Sequence, residues 1–282
     1  MKTRRSALST TALVAVGVLL AVWTLLPVYH MLVVSLSPSD ELFAGRLWPE
    51  DPTLTAFSTV LTEGDFTVER FWLQLWNSLF VAVVSAVGVL AIATLAAFAV
   101  ARLRPRWAGL LTTSALATYV IPLSFLAIPL YKAMANYNLL GSQWALILAT
   151  ITFGSPYALW VLSQYARASI PSELDEAATI DGAGAWRIYF QIFLPLMRPP
   201  MVVVGIYAFL LAWNEYLMAF LFLSEEDSMT LPVTLGNFLN SDQIQWNVMM
   251  ATALFYALPP VLIYYAFQRN VSSGSTAGGV KN

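Results

Sequence analysis

The chain has 282 residues, 59% of them hydrophobic and 11% charged, with a formal net charge of −2. Soluble domains carry about 25% charged residues, so the composition excludes an ordinary water-soluble fold, and the weak negative charge argues against a nucleic-acid surface. There is no cysteine and one histidine, His30, which excludes disulfides, thiolate metal sites and cysteine nucleophiles and leaves His30 without the neighbouring ligands a metal needs.

A helix crosses a bilayer with about 20 apolar residues, and six stretches qualify. The first, 11–35, follows Lys2, Arg4 and Arg5. Its run is longer than the roughly 7–15 apolar residues of a signal peptide, so it reads as a retained anchor. The others are 78–101, 108–131, 144–166, 199–223 and 248–268. The fourth and sixth are the least regular, because they contain Gly154-Ser155-Pro156 and Pro259-Pro260. The reading is an all-α polytopic membrane protein with six transmembrane helices. Residues 1–37 are an N-terminal tail and first span, 38–71 an extracytoplasmic loop, 72–270 a core of five spans that includes a polar loop at 167–198, and 271–282 a tail.

Lysine and arginine set orientation. With the N-terminus inside, the inner segments hold eleven of the fourteen basic residues and the outer ones three, Arg46, Arg70 and Lys132. Both termini and the polar loop are then cytoplasmic. The outer segments are acidic, which solvates exposed loops, and Trp48, Trp72, Trp76 and Trp144 fall near the outer interface.

The polar loop contains PSELDEAATIDGAGAWRIYFQIFLP, residues 171–195. Pro171 suits a first helical turn, and Glu173, Asp175 and Glu176 would sit at the positive end of the dipole. Leu174, Ala177, Ala178 and Asp181 recur at helical spacing, and Gly182 permits the left-handed backbone that ends a helix. Trp186, Tyr189, Phe190, Phe193 and Leu194 then form an apolar stripe, with Arg187 and Gln191 facing away. Pro195, Pro199 and Pro200 break the chain before the fifth span. Two short helices at a glycine elbow fit either a docking element or a plain connector between spans.

The membrane part offers little chemistry. No G-x-x-x-x-G-K-[ST] phosphate loop occurs, since Lys2, Lys132 and Lys281 are the only lysines. The chain is no ATPase by that route and shows no nucleophile–base pair. Glu215, in AWNEY, is the clear intramembrane acid. It lines a solute route or a subunit interface, or lies near enough to the outer surface to be solvated. A self-sufficient ion-coupled carrier using Glu215 is the alternative class.

EAATIDGAGAWRIYFQIFLP resembles the EAA signature of permease subunits in ATP-binding-cassette importers, matching at Glu176, Ala177, Ala178, Asp181, Gly182, Ala183, Leu194 and Pro195. IPSELDEAA, YVIPLSFLAIPLY, NLLGSQWALIL, AWNEYLMAF and MTLPVTL are similar to segments of the carbohydrate-uptake branch, the group of the smaller maltose-type permease. The tail departs from the family pattern at Ser275, Gly279 and Asn282, and residues 38–71 match least well. The resemblance implies that the eight matching residues form a coupling helix and its flank, docked in a cleft of an ATPase. It implies a second homologous permease, two ATPase subunits, an extracytoplasmic solute-binding protein, a sugar substrate and surrounding membrane lipid. ATP and Mg would belong to the ATPase partner, with no cofactor in this chain. Tyr119, Pro122, Pro129, Asn214 and Glu215 are candidates for the translocation route.

Overall fold

Apolar runs dictate helices here, because in lipid each backbone polar group must find its partner within the segment. The computed structural model describes residues 2–103 and 105–276. Arg104 and the tail positions Gly279, Lys281 and Asn282 lie outside the described residues. Helices α1 (Lys2–Leu36) and α2 (Thr55–Leu61) precede α3 (Phe71–Phe98), which widens into a π-turn at Ala99–Leu103. Then come α4 (Ala108–Ala117), α5 (Leu123–Asn136), α6 (Gln143–Ser169), α7 (Glu173–Ile180), α8 (Ala185–Ile188), α9 (Leu194–Leu196) and α10 (Arg198–Trp213). Helices α11 (Leu217–Phe222), α12 (Leu231–Phe238) and α13 (Trp246–Thr276) complete the order, with no strand among the described residues.

Among the described residues, four helices are long and apolar enough to cross a membrane: Thr11–Leu36, Phe71–Leu103, Gln143–Ser169 and Trp246–Gln268. Two bent pairs bring the number to six if each pair is one span. They are Ala108–Val120 with Leu123–Asn136, bent by 99°, and Ala185–Leu196 with Arg198–Trp213, bent by 77°. The sequence reading had marked the fourth and sixth spans as irregular, yet α6 runs through Pro156 and α13 through Pro259 and Pro260. The breaks fall instead in the third and fifth. Ile121 is extended, at φ −85° and ψ 116°, because a residue preceding proline is driven out of the helical region. Pro122 then caps α5 rather than kinking a continuous helix.

Packing divides the chain into two units, Met1–Phe71 with Thr234–Leu258, and Trp72–Val233 with Pro259–Asn282. In the first, α1 leaves most of its apolar surface from Leu13 to Leu32 exposed. The segment between α1 and α2 is tied back by Thr53 N–H to Leu36 O, 2.8 Å, and Tyr29 OH to Leu47 O, 2.6 Å. Phe57 and Phe71 pack edge-on or tilted against Phe255. The Asp65 carboxylate accepts from the Thr67 N–H and hydroxyl and from Gln245 Nε2. Burial raises the Asp65 pKa, but these hydrogen bonds outweigh it and hold the carboxyl below its ordinary value.

In the second unit, Val81, Leu146, Ile147, Met218, Phe222 and Leu223 form a buried core. Lipid tails are as apolar as leucine, so close packing rather than water exclusion drives helix association here, and small residues sit at the crossings. A Cβ on Gly88 would come within 2.4 Å of Ile151 Cδ1, and one on Gly154 within 2.9 Å of Val89 Cγ2. Helices α3 and α6 therefore cross where neither glycine tolerates a side chain without movement.

Candidate functional site

The first helix of the polar loop begins later than its proline suggests. Pro171 lies outside α7, whose N-cap is Ser172. The end of α7 is a full Schellman closure: Ala183 N–H donates to Ala178 O (2.9 Å) and Gly182 N–H to Thr179 O (3.0 Å). Gly182 takes φ +79°, the left-handed conformation such a closure requires. No residue of α7 is buried. Glu176, Ala177, Asp181 and Gly182 are exposed, while Ala178 and Ala183 are half-buried. Leu174 and Ile180 also face outward, Ile180 with 87% of its surface exposed.

Beyond the elbow the anticipated stripe is divided. Tyr189 and Phe193 are buried, and both rings pack edge-on against Phe98 of α3. The Tyr189 hydroxyl meets Thr94 Oγ1 at 2.8 Å. Trp186 and Phe190 instead stack on each other at an exposed surface. The reason is the π-turn at Tyr189–Phe193, which advances fewer degrees per residue than the α-helical spacing assumed. Leu194 is half-buried and Pro195 exposed, both within α9. Pro199 and Pro200 do not break the chain: they occupy the first turn of α10, and the bend comes at Met197.

One contact was not legible in the sequence. Arg102, on the π-turn that ends α3, is 7% exposed and places Nε 2.8 Å from Asp175 Oδ2 on α7. Nε makes no hydrogen bond in that approach, so the contact is coulombic, and Asp175 Oδ1 is buried without a hydrogen bond. Arg102 Nη2 also donates to Ile170 O at the end of α6, 3.0 Å. Arg167 of α6 reaches back toward Val100 O at 3.5 Å. Two cavities flank Arg102, about 320 Å³ against the α6–α7 corner and about 280 Å³ toward Asp175, Thr179 and Ile188.

The route candidates separate into two pairs, with Pro129 apart from both. Tyr119 and Pro122 line a cavity of about 220 Å³ with Phe153 and Leu211. The Tyr119 hydroxyl donates to Phe153 O, and its ring lies near Tyr157, which packs against Trp160 and Tyr207. Pro129 is exposed inside α5 and does not line this cavity. Asn214 and Glu215 are not deep in a continuous helix: α10 ends at Trp213, and they form the break before α11. Glu215 Oε1 accepts from Met218 N–H at 2.8 Å, so the carboxylate caps α11. Asn214 Nδ2 donates to Leu210 O. Tyr157, Trp160 and Tyr207 carried no motif, although the first two recur at helical spacing.

Residues 88–275 match the family of binding-protein-dependent transport system inner membrane components. The chain belongs to that family. It is 33% identical over the full length of both chains to the inner membrane ABC transporter permease protein YcjP of Escherichia coli. To the trehalose transport system permease protein SugB of Mycobacterium tuberculosis it is 31% identical, covering 92% of this chain and 93% of that one. To the diacetylchitobiose uptake system permease protein DasC of Streptomyces coelicolor it is 30% identical, covering 94% and 95%. The crystal structure of a bacterial ABC transporter involved in the import of the acidic polysaccharide alginate shares the fold, with TM-score 0.76 and 22% identity over 94% of this chain and 96% of that one. The chain is thus a permease subunit, and ATP hydrolysis falls to partner subunits. Nothing in these relationships supports an ion-coupled carrier built on Glu215.

Proposed function

We propose that this permease is half of the translocation pathway of an ATP-driven sugar importer in the cell membrane, with both termini cytoplasmic. The observation that carries the reading is α7, an eight-residue helix with no buried residue. Its outward side chains make a short apolar ridge, Leu174, Ala177 and Ile180, edged by Glu173, Glu176 and Asp181. Such a ridge suits a cleft with an apolar floor and a basic rim on an ATPase subunit. The partners are a second homologous permease, two ATPase subunits that hold ATP and Mg, and an extracytoplasmic solute-binding protein. The eleven-to-three distribution of basic residues supports a cytoplasmic loop.

Coupling follows as a population shift. ATP binds best to the closed ATPase dimer, and whatever the docked helices gain in that state biases the permease toward its outward-open arrangement. Sugar as solute is supported by relatives named for trehalose, diacetylchitobiose and sulfoquinovosyl glycerol. The half-exposed rings of Tyr119, Tyr157, Trp160 and Tyr207 agree with it, since binding sites combine aromatic walls with a few polar groups. The test is to tag the chain in its native membrane, extract it gently and identify stoichiometric companions. An ATPase with a phosphate loop and a second permease are expected. Recovery of the chain alone, moving solute in vesicles without ATP, would overturn the proposal.

A further inference from the structure

The cytoplasmic ends of α3 and α6 exchange arginines. Arg102, from the last turn of the α3 extension, donates to Ile170 O at the end of α6, and Arg167, from the last turn of α6, reaches Val100 O. Each cation thus lies at the negative end of the other helix, where unsatisfied carbonyls concentrate. Val100 lies in the π-turn at Ala99–Leu103 that ends the α3 extension, and Ile170 is the C-cap of α6, so both acceptors are end-of-helix carbonyls. Asp175 completes the arrangement by placing Oδ2 2.8 Å from Arg102 Nε. One buried guanidinium, carried by the end of α3, therefore touches the end of α6 and the first turn of α7.

We propose that Arg102 and Asp175 are positioning residues that make α7 move as one body with α3 and α6. The proposal rests on α7 being the ATPase-docking helix and adds how displacement of that helix reaches the membrane. Without the pair, α7 would lose its direct charged tie to the end of α3, leaving the loop backbone at 170–172 and the Tyr189 and Phe193 anchor beyond the Gly182 elbow to transmit its displacement. A charge pair is well placed for this role. Its two members are mostly withdrawn from solvent, 7% and 17% exposed, so the attraction is screened far less than at an open surface. A guanidinium also presents several donors in a fixed planar fork, which lysine does not.

The chain's lack of cysteine makes the test direct. Spin labels on Trp76→Cys, near the start of α3, and Ser172→Cys, at the N-cap of α7, report whether the two helices move together in the whole complex. In the parent the separation should be the same without nucleotide and after trapping with ATP and vanadate. Arg102→Gln should keep the ATPase subunits bound but let the distance broaden and shift on trapping, with ATP hydrolysis retained and ATP-dependent transport of trehalose, the probe sugar, or of whichever sugar the parent moves, reduced at least tenfold. Arg102→Lys should fall between. Because Arg102→Gln leaves Asp175 charged and unpaired, the double variant Arg102→Gln, Asp175→Asn is measured beside it. It removes both charges and should uncouple in the same way. A parent distance that changes on trapping, or a double variant with parental distance and transport, would overturn the proposal. Failure of the parent to retain an ATPase would instead overturn the docking role of α7.

Discussion

Replacing Gly182 should weaken coupling in an order set by backbone conformation alone. At φ +79°, a Cβ added to Gly182 meets nothing within 4 Å. Crowding therefore contributes no cost, and the penalty is that of forcing an L-residue into the left-handed region, about 1–2 kcal/mol. That corresponds to a factor of roughly 5–30 in the population of the elbow. Asparagine visits this region more readily than alanine, and a β-branched residue least of all. The series Gly, Asn, Ala, Val should therefore show falling ATP-driven uptake in reconstituted vesicles and falling retention of the ATPase. The melting temperature of the membrane domain should hold, because the elbow can open locally while the buried core stays packed. Parental uptake in Gly182→Val would refute the reasoning. So would Gly182→Asn as impaired as Gly182→Val, since the defect would then not come from the backbone.

Three further expectations follow from other contacts. Glu215→Gln keeps an oxygen to accept from Met218 N–H, so complex yield should be unchanged while uptake falls; full uptake would take the carboxylate out of the route. Gly154→Leu forces atoms into the 2.9 Å approach to Val89 and the 3.4 Å approach to Leu211, and overpacking costs about 1–3 kcal/mol. Thermal unfolding of the purified complex should move down by several degrees, and an unchanged midpoint would refute the close crossing of α3 and α6. The folded Asp65 carboxyl lies below its ordinary 3.8. Its contribution is complete above pH 3.8 and is lost as pH falls through the lower folded value. Amide exchange at Thr67 and Val68 should accelerate in that acid range in the parent. Asp65→Asn should show faster exchange already at neutral pH and no such acid step; a parental profile in the variant would remove the carboxylate from this turn.

Much of the architecture was legible in the chain itself. Apolar runs of sufficient length have few alternatives to helix in lipid, so the apolar stretches translated into helices. The end of α7 at Gly182 was legible for a local reason: a left-handed residue after a helix is a property of a few adjacent residues, and glycine bears it at least cost. Hydropathy, however, sums transfer free energy residue by residue and carries no direction. It could not tell that 108–131 and 199–223 turn through 99° and 77° at their breaks while α6 continues through Pro156. That difference depends on the packing around each proline. Helix α6 lies against α4 and α10 and stays helical through Pro156, whereas Ile121 is held extended by the proline that follows it. The same limit hid the site's main tie. Arg102 and Asp175 are separated by α4, α5 and α6, and as charges in the sequence they read only as a cytoplasmic cation and a first-turn acid. Only the approach of α3, α6 and α7 makes them a pair largely withdrawn from solvent.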